Sequence, residues 1–81
     1  MKERTRSTYS IYSLMNDIVM FKVYILCAIK AYKKGARYYR SFEAQAEATL
    51  DILVAVNYIT DTEYTELNRQ LSHIFDLYKK H

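Results

Sequence analysis

Residues 60–78 read TDTEYTELNRQLSHIFDLY and carry the sharpest structural signal in the chain. Thr60 and Glu63 have the spacing of a capping box, in which each side chain binds the backbone amide of the other residue and so starts a helix. From Tyr64 onward, apolar residues return at alternating steps of three and four positions, which is typical of a helix with one buried face. They are Tyr64, Leu67, Leu71, Ile74 and Tyr78. The sequence therefore predicts a helix over residues 61–79.

A second helix is predicted directly before this one, over residues 42–57. Ser41 can cap its start, and Glu43 places a negative charge in its first turn, where the helix dipole favours one. Its apolar face consists of Phe42, Ala46, Leu50, Leu53 and either Val56 or Asn57. Because only a few residues separate these two helices, we expect them to be antiparallel neighbours.

The first and longest helix is predicted over residues 9–34, after a charged segment, residues 1–6, that we expect to fray. One apolar stripe follows it at helical spacing: Ile11, Leu14, Ile18, Phe21, Ile25 and Ile29. A second stripe lies on another face: Tyr12, Met15, Val19, Val23 and Leu26. Apolar residues on two faces indicate a helix that is contacted from two sides, either at the centre of a bundle or in a dimer interface.

Gly35, the only glycine in the chain, marks the predicted end of this first helix. Glycine readily adopts the left-handed conformation that ends many helices. Lys33 and Lys34 supply the positive charge that the C-terminal end of a helix dipole favours. The alternative is one helix that continues to Arg40, with Gly35 only weakening it.

Together the three segments predict an all-α fold, a small antiparallel three-helix up-down-up bundle with a long first helix, as a single domain over residues 1–81. With one Gly and no Pro, the chain has too few turn-forming residues for a small β-barrel or sandwich. A single Gly also excludes a glycine-rich phosphate loop. The single cysteine, Cys27, excludes an intrachain disulfide framework and a Cys-rich zinc site.

Charge is divided between the two halves of the chain. Residues 1–40 hold nine Lys or Arg against two acidic residues, a net +7, whereas residues 41–81 hold three against seven, a net −4. The positive half ends in KAYKKGARYYR, residues 30–40, where cations alternate with tyrosines. Lys and Arg neutralise phosphates, and Tyr stacks on unpaired bases. The pattern predicts a surface that binds RNA or DNA, formed by Lys30, Lys33, Lys34, Arg37, Tyr38, Tyr39 and Arg40.

A second interpretation of the same cluster is an ordinary solvated helix end. Its cations would complement the helix dipole and pair with the acidic second helix. In that helix, Glu43, Glu47 and Asp51 recur at steps of four. Metal sites in helical bundles place a His three residues after a Glu, and this helix has none. We therefore expect a solvated acidic stripe, with no metal and no cofactor.

Catalytic chemistry has little support in the sequence. Cys27 and His73 could in principle form a nucleophile–base pair, but nothing in the sequence brings them together or supplies a third, orienting group. We therefore expect a protein that is not an enzyme.

A membrane span is not predicted. The most apolar run, residues 18–29, is interrupted by Lys22 and is shorter than the roughly 20 residues of a spanning helix. The N-terminus is basic, but no small-residue cleavage site follows the apolar stretch, so no secretory signal is predicted either. We expect a cytoplasmic protein in which Cys27 is a buried thiol.

Residues 41–60, SFEAQAEATLDILVAVNYIT, followed by residues 61–78, DTEYTELNRQLSHIFDLY, resemble a known family. The pair is similar to the last two helices of the four-helix-bundle proteins encoded in ribosomal RNA intervening sequences and of the related accessory variability proteins of diversity-generating retroelements. The matching residues are Ile52, Leu53, Val56, Tyr58, Ile59, Thr60, Glu63, Tyr64, Leu67 and Leu71. The preceding helix reads VYILCAIKAY where that family has a Ser-Ile-Pro-Ser-Asn-like segment. The resemblance covers about half the chain and implies a basic, self-associating bundle that binds nucleic acid and a protein partner, without catalytic residues.

The function predicted from the sequence is therefore a non-enzymatic helical bundle that self-associates and binds nucleic acid through the basic surface. The alternative is a phage or mobile-element protein that binds and inhibits or regulates another protein, because nine tyrosines and a two-faced first helix suit a protein interface. A bacteriocin immunity protein, also a small cytoplasmic helical bundle, is a third and weaker interpretation.

Overall fold

The computed structural model describes residues 9–79 and is entirely helical over that range, with no strand. Its four helices are α1 (Ile11–Asp17), α2 (Val19–Lys33), α3 (Tyr39–Ala55) and α4 (Asp61–Tyr78). The predicted all-α class is confirmed, and the predicted count of three helices is wrong. The expected fraying of residues 1–6 lies outside the described residues.

The first predicted helix is divided at Ile18 into α1 and α2. Ile18 has extended backbone angles, φ −118° and ψ 95°, and the two helix axes are bent by 115°. Hydrogen bonding continues on both sides of the break, because the Ile18 amide donates to the Leu14 carbonyl at 2.8 Å and the Ile18 carbonyl accepts from the Phe21 amide at 3.1 Å. The bend directs Ile11 and Leu14 of α1 into the same core as Phe21 of α2.

The reason for the bend lies in the lengths of the neighbouring helices. A straight helix over residues 9–34 would be about 39 Å long, whereas α3 and α4 are about 26 and 27 Å long. About a third of the straight helix would therefore lack a partner for its apolar face. After the bend, α1 lies across α2 and α4, and the Ile11 amide donates to the Gln70 side chain at 2.9 Å.

The turn between α2 and α3 begins at Gly35, which has a φ of +78°. The Gly35 amide donates to Tyr32 and the Ala36 amide donates to Ala31, both at 3.0 Å, which together form a Schellman motif. The predicted break near Gly35 is therefore present. The prediction that Ser41 caps the next helix is wrong, because short-range bonds over residues 36–41 start α3 at Tyr39, with Tyr38 as a cap that makes no side-chain bond.

The α3–α4 corner follows the sequence signals closely. Asn57, at φ +64°, follows the C-cap residue of α3, and its conformation is one that asparagine tolerates better than most residues. The capping box is formed as predicted: the Glu63 amide donates to the Thr60 hydroxyl at 3.0 Å, and the Thr60 amide donates to the Glu63 carboxylate at 2.9 Å. This tight corner makes α3 and α4 antiparallel.

One hydrophobic core joins all four helices. It consists of Ile11, Leu14, Phe21, Ile25, Ala46, Leu50, Leu53, Ile59, Leu67, Leu71 and Phe75. Most of the second apolar stripe of the first predicted helix lies outside it, since Tyr12, Val19 and Leu26 are at least half exposed, whereas Met15 packs against the core. Two residues of the predicted second-helix face, Val56 and Asn57, are also exposed, because α3 ends at Ala55.

Within residues 9–79, no helix by itself has both the length and the apolar composition needed to cross a bilayer. Helices α1 and α2 meet that criterion only when they are counted together across their 115° bend.

Candidate nucleic-acid interface

The seven residues predicted to bind nucleic acid lie together at one end of the α2–α3 pair. Lys30 and Lys33 belong to the last turn of α2, Lys34 caps it, and Arg37 lies in the connecting turn. Tyr38, Tyr39 and Arg40 then open α3. All five cations are exposed, so this end of the bundle presents five positive charges to solvent. We refer to these seven residues as the basic end.

The surface of the basic end contains two shallow pockets. The first has a volume of about 180 Å³ and is lined by Cys27, Lys30, Ala31, Lys34, Tyr38 and Phe42. The second is lined by Tyr32, Gly35, Ala36, Arg37 and Tyr39. Lys33 and Arg40 line neither of them. The predicted residues therefore share one surface but do not converge on one point.

The two tyrosines of the basic end have different environments. Tyr39 is half-buried, with its ring centroid 4.9 Å from that of Tyr32 in an edge-to-face contact and 5.2 Å from the Lys79 ammonium. Tyr32 in turn contacts Tyr78 at 5.4 Å. Tyr38 is 53% exposed and makes an edge-to-face contact with Phe42 at 6.1 Å. Tyr39 is thus a packing residue, and Tyr38 is the tyrosine with free ring surface.

The cations of the basic end have no acidic partners among residues 9–79, since no carboxylate oxygen of that range lies within 4.0 Å of their charged nitrogens. Hydrogen bonding to Tyr39, with a smaller contribution from Glu43, raises the pKa of Arg40 above its ordinary value. The interpretation as a solvated helix end predicted that these cations pair with acidic residues of the second helix. The described residues form no such pair. The charge of this surface is left for solvent or for a ligand.

The acidic stripe of α3 faces α4 instead. Glu43 accepts hydrogen bonds from Tyr78 and from Lys79, whose ammonium lies 2.9 Å from the carboxylate. Asp51 accepts from the Tyr64 hydroxyl at 2.5 Å, and this bond raises the pKa of Tyr64. Glu43 is thus paired with a Lys at the end of the neighbouring helix and is not a fully solvated member of the stripe. No cluster of three metal-ligating side chains is present in the described range.

Cys27 and His73 lie in different places. Cys27 is half-buried in the first pocket of the basic end, which corrects the prediction of a buried thiol. His73 is exposed on α4, in a pocket beside Tyr12 and Arg69. The two side chains lie in different pockets, so these two residues do not form a nucleophile–base pair.

An apolar groove between α1, α2 and α4 was not predicted as a site. Its volume is about 320 Å³, and it is lined by Tyr12, Met15, Ile25, Leu26, Ile29, Ile74, Leu77 and Tyr78. The rim residues Tyr12, Leu26 and Leu77 are all at least half exposed. The signal for this groove was the second apolar stripe, which contains Tyr12, Met15 and Leu26.

No protein-family model, curated protein or solved structure matches this chain. The similarity of residues 41–78 to the intervening-sequence proteins stays a prediction.

Proposed function

We propose that this chain is a non-enzymatic helical bundle that self-associates and binds nucleic acid through the basic end. The observation that carries the proposal is the group of five exposed cations without acidic partners in the described range. Like charges held close together repel one another, so a polyanion that neutralises them gains free energy on binding. The exposed ring of Tyr38 adds a surface on which a base can stack.

Self-association is supported by the apolar groove and by the exposed face of α2. Tyr12, Leu26 and Leu77 together expose more large apolar surface than scattered single residues, and contiguous apolar surface of this kind marks interaction sites. A domain of this size also has a modest core, which a dimer would enlarge. We assign this surface to a second copy of the chain.

The nucleic-acid proposal is tested by titrating the protein into a labelled oligonucleotide at several salt concentrations. We expect affinity to fall as salt rises, with a slope set by the number of phosphates neutralised. Replacing all five cations, Lys30, Lys33, Lys34, Arg37 and Arg40, with Gln should abolish binding at moderate salt. Lys22→Gln, which removes an exposed cation elsewhere on α2, should have a small effect. Absence of binding by the unmodified protein at low salt rejects this part of the function.

Self-association is tested by light scattering and sedimentation equilibrium at micromolar concentrations. We expect the unmodified protein to form dimers or larger species and Leu26→Ser combined with Leu77→Ser to shift it to monomer. Ile52→Ser is the control, since Ile52 is also at least half exposed but lies on α3. A monomeric unmodified protein rejects self-association and leaves the nucleic-acid proposal standing.

A second candidate function is the binding and inhibition or regulation of another protein at the same apolar groove. A monomeric protein that binds no nucleic acid at low salt would favour it, because exposed apolar surface around the groove suits a protein partner. A purification from the native host, analysed for both RNA and protein, separates the two candidates.

A further inference from the structure

We infer that the pocket formed by Lys30, Lys34, Tyr38 and Phe42 receives an unpaired base, so that the basic end prefers single-stranded over duplex nucleic acid. This inference rests on the proposed nucleic-acid function and names its substrate class. We refer to the pocket as the base pocket.

The base pocket has an apolar floor and a cationic rim, an arrangement that suits the flat base and the charged phosphate of a nucleotide. Ala31 is buried and forms part of the floor, together with the half-buried Phe42. Lys30, Lys34 and Tyr38 are exposed and form the rim. A base entering this pocket would contact apolar and aromatic surface, while its sugar and phosphate would stay at the rim beside the ammonium groups.

The size of the base pocket suits a single ring system. Its volume of about 180 Å³ equals several water molecules at about 30 Å³ each, and it is smaller than the roughly 300 to 1,000 Å³ of pockets that enclose drug-sized ligands. It is therefore too small for a peptide segment and large enough for a flat aromatic group.

The aromatic pair at the base pocket has free surface for stacking. Tyr38 and Phe42 meet edge to face, with 74° between their ring planes, and Tyr38 has no other ring contact in the described part of the chain. The neighbouring Tyr39 differs, because Tyr32 and Lys79 already occupy its ring. Of the two adjacent tyrosines, Tyr38 is therefore the one whose ring is available for stacking on a base.

The two lysines are placed to hold the phosphates on either side of that base. Lys30 and Lys34 are four positions apart, so their Cβ atoms are about 5–6 Å from each other on one face of the helical turn. Neither has an acidic partner within residues 9–79. Two flexible ammonium groups at this spacing can reach consecutive phosphates of one strand.

A surface with cations alone would bind duplex and single strands by the same counterion release. In a duplex, however, the flat faces of the bases are stacked on their neighbours and cannot enter a pocket on a protein surface. The base pocket therefore adds binding free energy only for an unpaired nucleotide.

The test compares three labelled probes of equal length: an oligothymidine of about twelve nucleotides, within the range that small binding folds cover, its fully abasic counterpart, and the corresponding duplex. The unmodified protein should bind the oligothymidine about 5- to 150-fold more tightly than the abasic strand, the range expected for stacking of one base. Tyr38→Ala should remove that difference, and Tyr38→Phe should retain it. Ile52→Ala, which truncates an exposed apolar side chain on α3 outside both the base pocket and the apolar groove, is the control and should leave it unchanged.

Replacing the two lysines of the base pocket should change probe binding in a different way from replacing Tyr38. Lys30→Gln and Lys34→Gln should each weaken binding to the oligothymidine and the abasic strand alike and lower the salt slope by about 0.7. Equal binding of the oligothymidine, the abasic strand and the duplex, or equal behaviour of the Tyr38→Ala and Ile52→Ala variants, overturns the base pocket while the nucleic-acid function stands. Failure of all three probes to bind at low salt rejects both proposals.

Discussion

Tyr78, in the last turn of α4, donates a hydrogen bond to the Glu43 carboxylate in the first turns of α3. Glu43 also forms a salt bridge with Lys79. One carboxylate thus links the C-terminal end of α4 to α3, the helix that begins within the basic end. Tyr78 further contacts Tyr32, the tyrosine that packs against Tyr39. This contact group links Tyr32 and Tyr39, the tyrosines on either side of the α2–α3 turn, to the C-terminal end of α4.

Removing the Tyr78 hydroxyl should therefore destabilise the protein. Tyr78→Phe keeps the ring contacts and deletes the hydrogen bond to Glu43. We expect a loss of about 1 kcal/mol in the free energy of unfolding, less than for a fully buried bond to a charged group because the site is partly exposed. Urea denaturation followed by circular dichroism measures it. Tyr12→Phe, at a hydroxyl with no hydrogen bond among residues 9–79, should lose nothing, and equal stability of the two variants would contradict the role assigned to Tyr78.

The same bond predicts a loss of stability at alkaline pH. Burial and then the bond to Glu43 raise the pKa of Tyr78 above its ordinary value of 10.0, so the folded state binds this proton more tightly than the unfolded state. The stabilisation is complete below pH 10 and is lost as the pH rises above 10 toward the folded-state pKa, at no more than about 1.4 kcal/mol per pH unit for one proton. Tyr9, with its pKa raised by burial and by Asp17, adds to the effect.

The measurement is a set of urea unfolding curves at several pH values above 9. The unmodified protein should lose stability more steeply than Tyr78→Phe, because lysine titration is common to both and cancels in the comparison. Parallel curves for the two proteins would show that Tyr78 does not carry the alkaline sensitivity.

The turn that orders the basic end depends on the left-handed conformation of Gly35. A Cβ atom at this position would meet nothing within 4 Å, so the cost of Gly35→Ala is backbone strain alone. That strain is about 1–2 kcal/mol, and the lower entropy of the unfolded alanine chain offsets about half of it. We expect a net loss of about 1 kcal/mol for Gly35→Ala in thermal or urea unfolding and a smaller loss for Gly35→Asn. An alanine variant as stable as the unmodified protein would contradict the positive φ.

The position of α1 depends on Gln70. Its side-chain oxygen accepts from the Ile11 amide at 2.9 Å, and its nitrogen donates to Glu66 at 3.0 Å. Gln70→Ala leaves the first amide of α1 without this partner, at a cost of about 1 kcal/mol. Amide hydrogen exchange should accelerate in α1 and change little in α3. The exposed Ser72→Ala on the same helix serves as the control, and uniform acceleration across all four helices would argue against a local role for this contact.

Much of the fold could be predicted because its signals are local. The Thr60–Glu63 spacing needs only the chain between those two residues to form its two bonds, and the glycine at position 35 ends a helix through its own backbone freedom. The residues of the basic end could be named for the same reason, since five cations on one short segment share one region of surface in any fold that keeps the segment intact.

The features of the structure that the sequence did not predict share a different cause. The apolar spacing from Ile11 to Ile29 continues unbroken through Ile18, so no local signal marks the bend between α1 and α2. Tyr38 and Tyr39 are adjacent and chemically identical, and only the positions of Tyr32 and Lys79 decide that one ring is packed and the other is free. The apolar groove likewise forms from three helices that are distant in sequence.

The sequence by itself determined that the chain is helical, where its tight corners lie and which segment carries the positive charge, because these depend on residue spacing and on the backbone preferences of single residues. Only the tertiary structure decided that the first helix bends at Ile18, which tyrosine remains accessible and where apolar surface stays uncovered. Those outcomes depend on the lengths and positions of helices that meet only after the chain has folded.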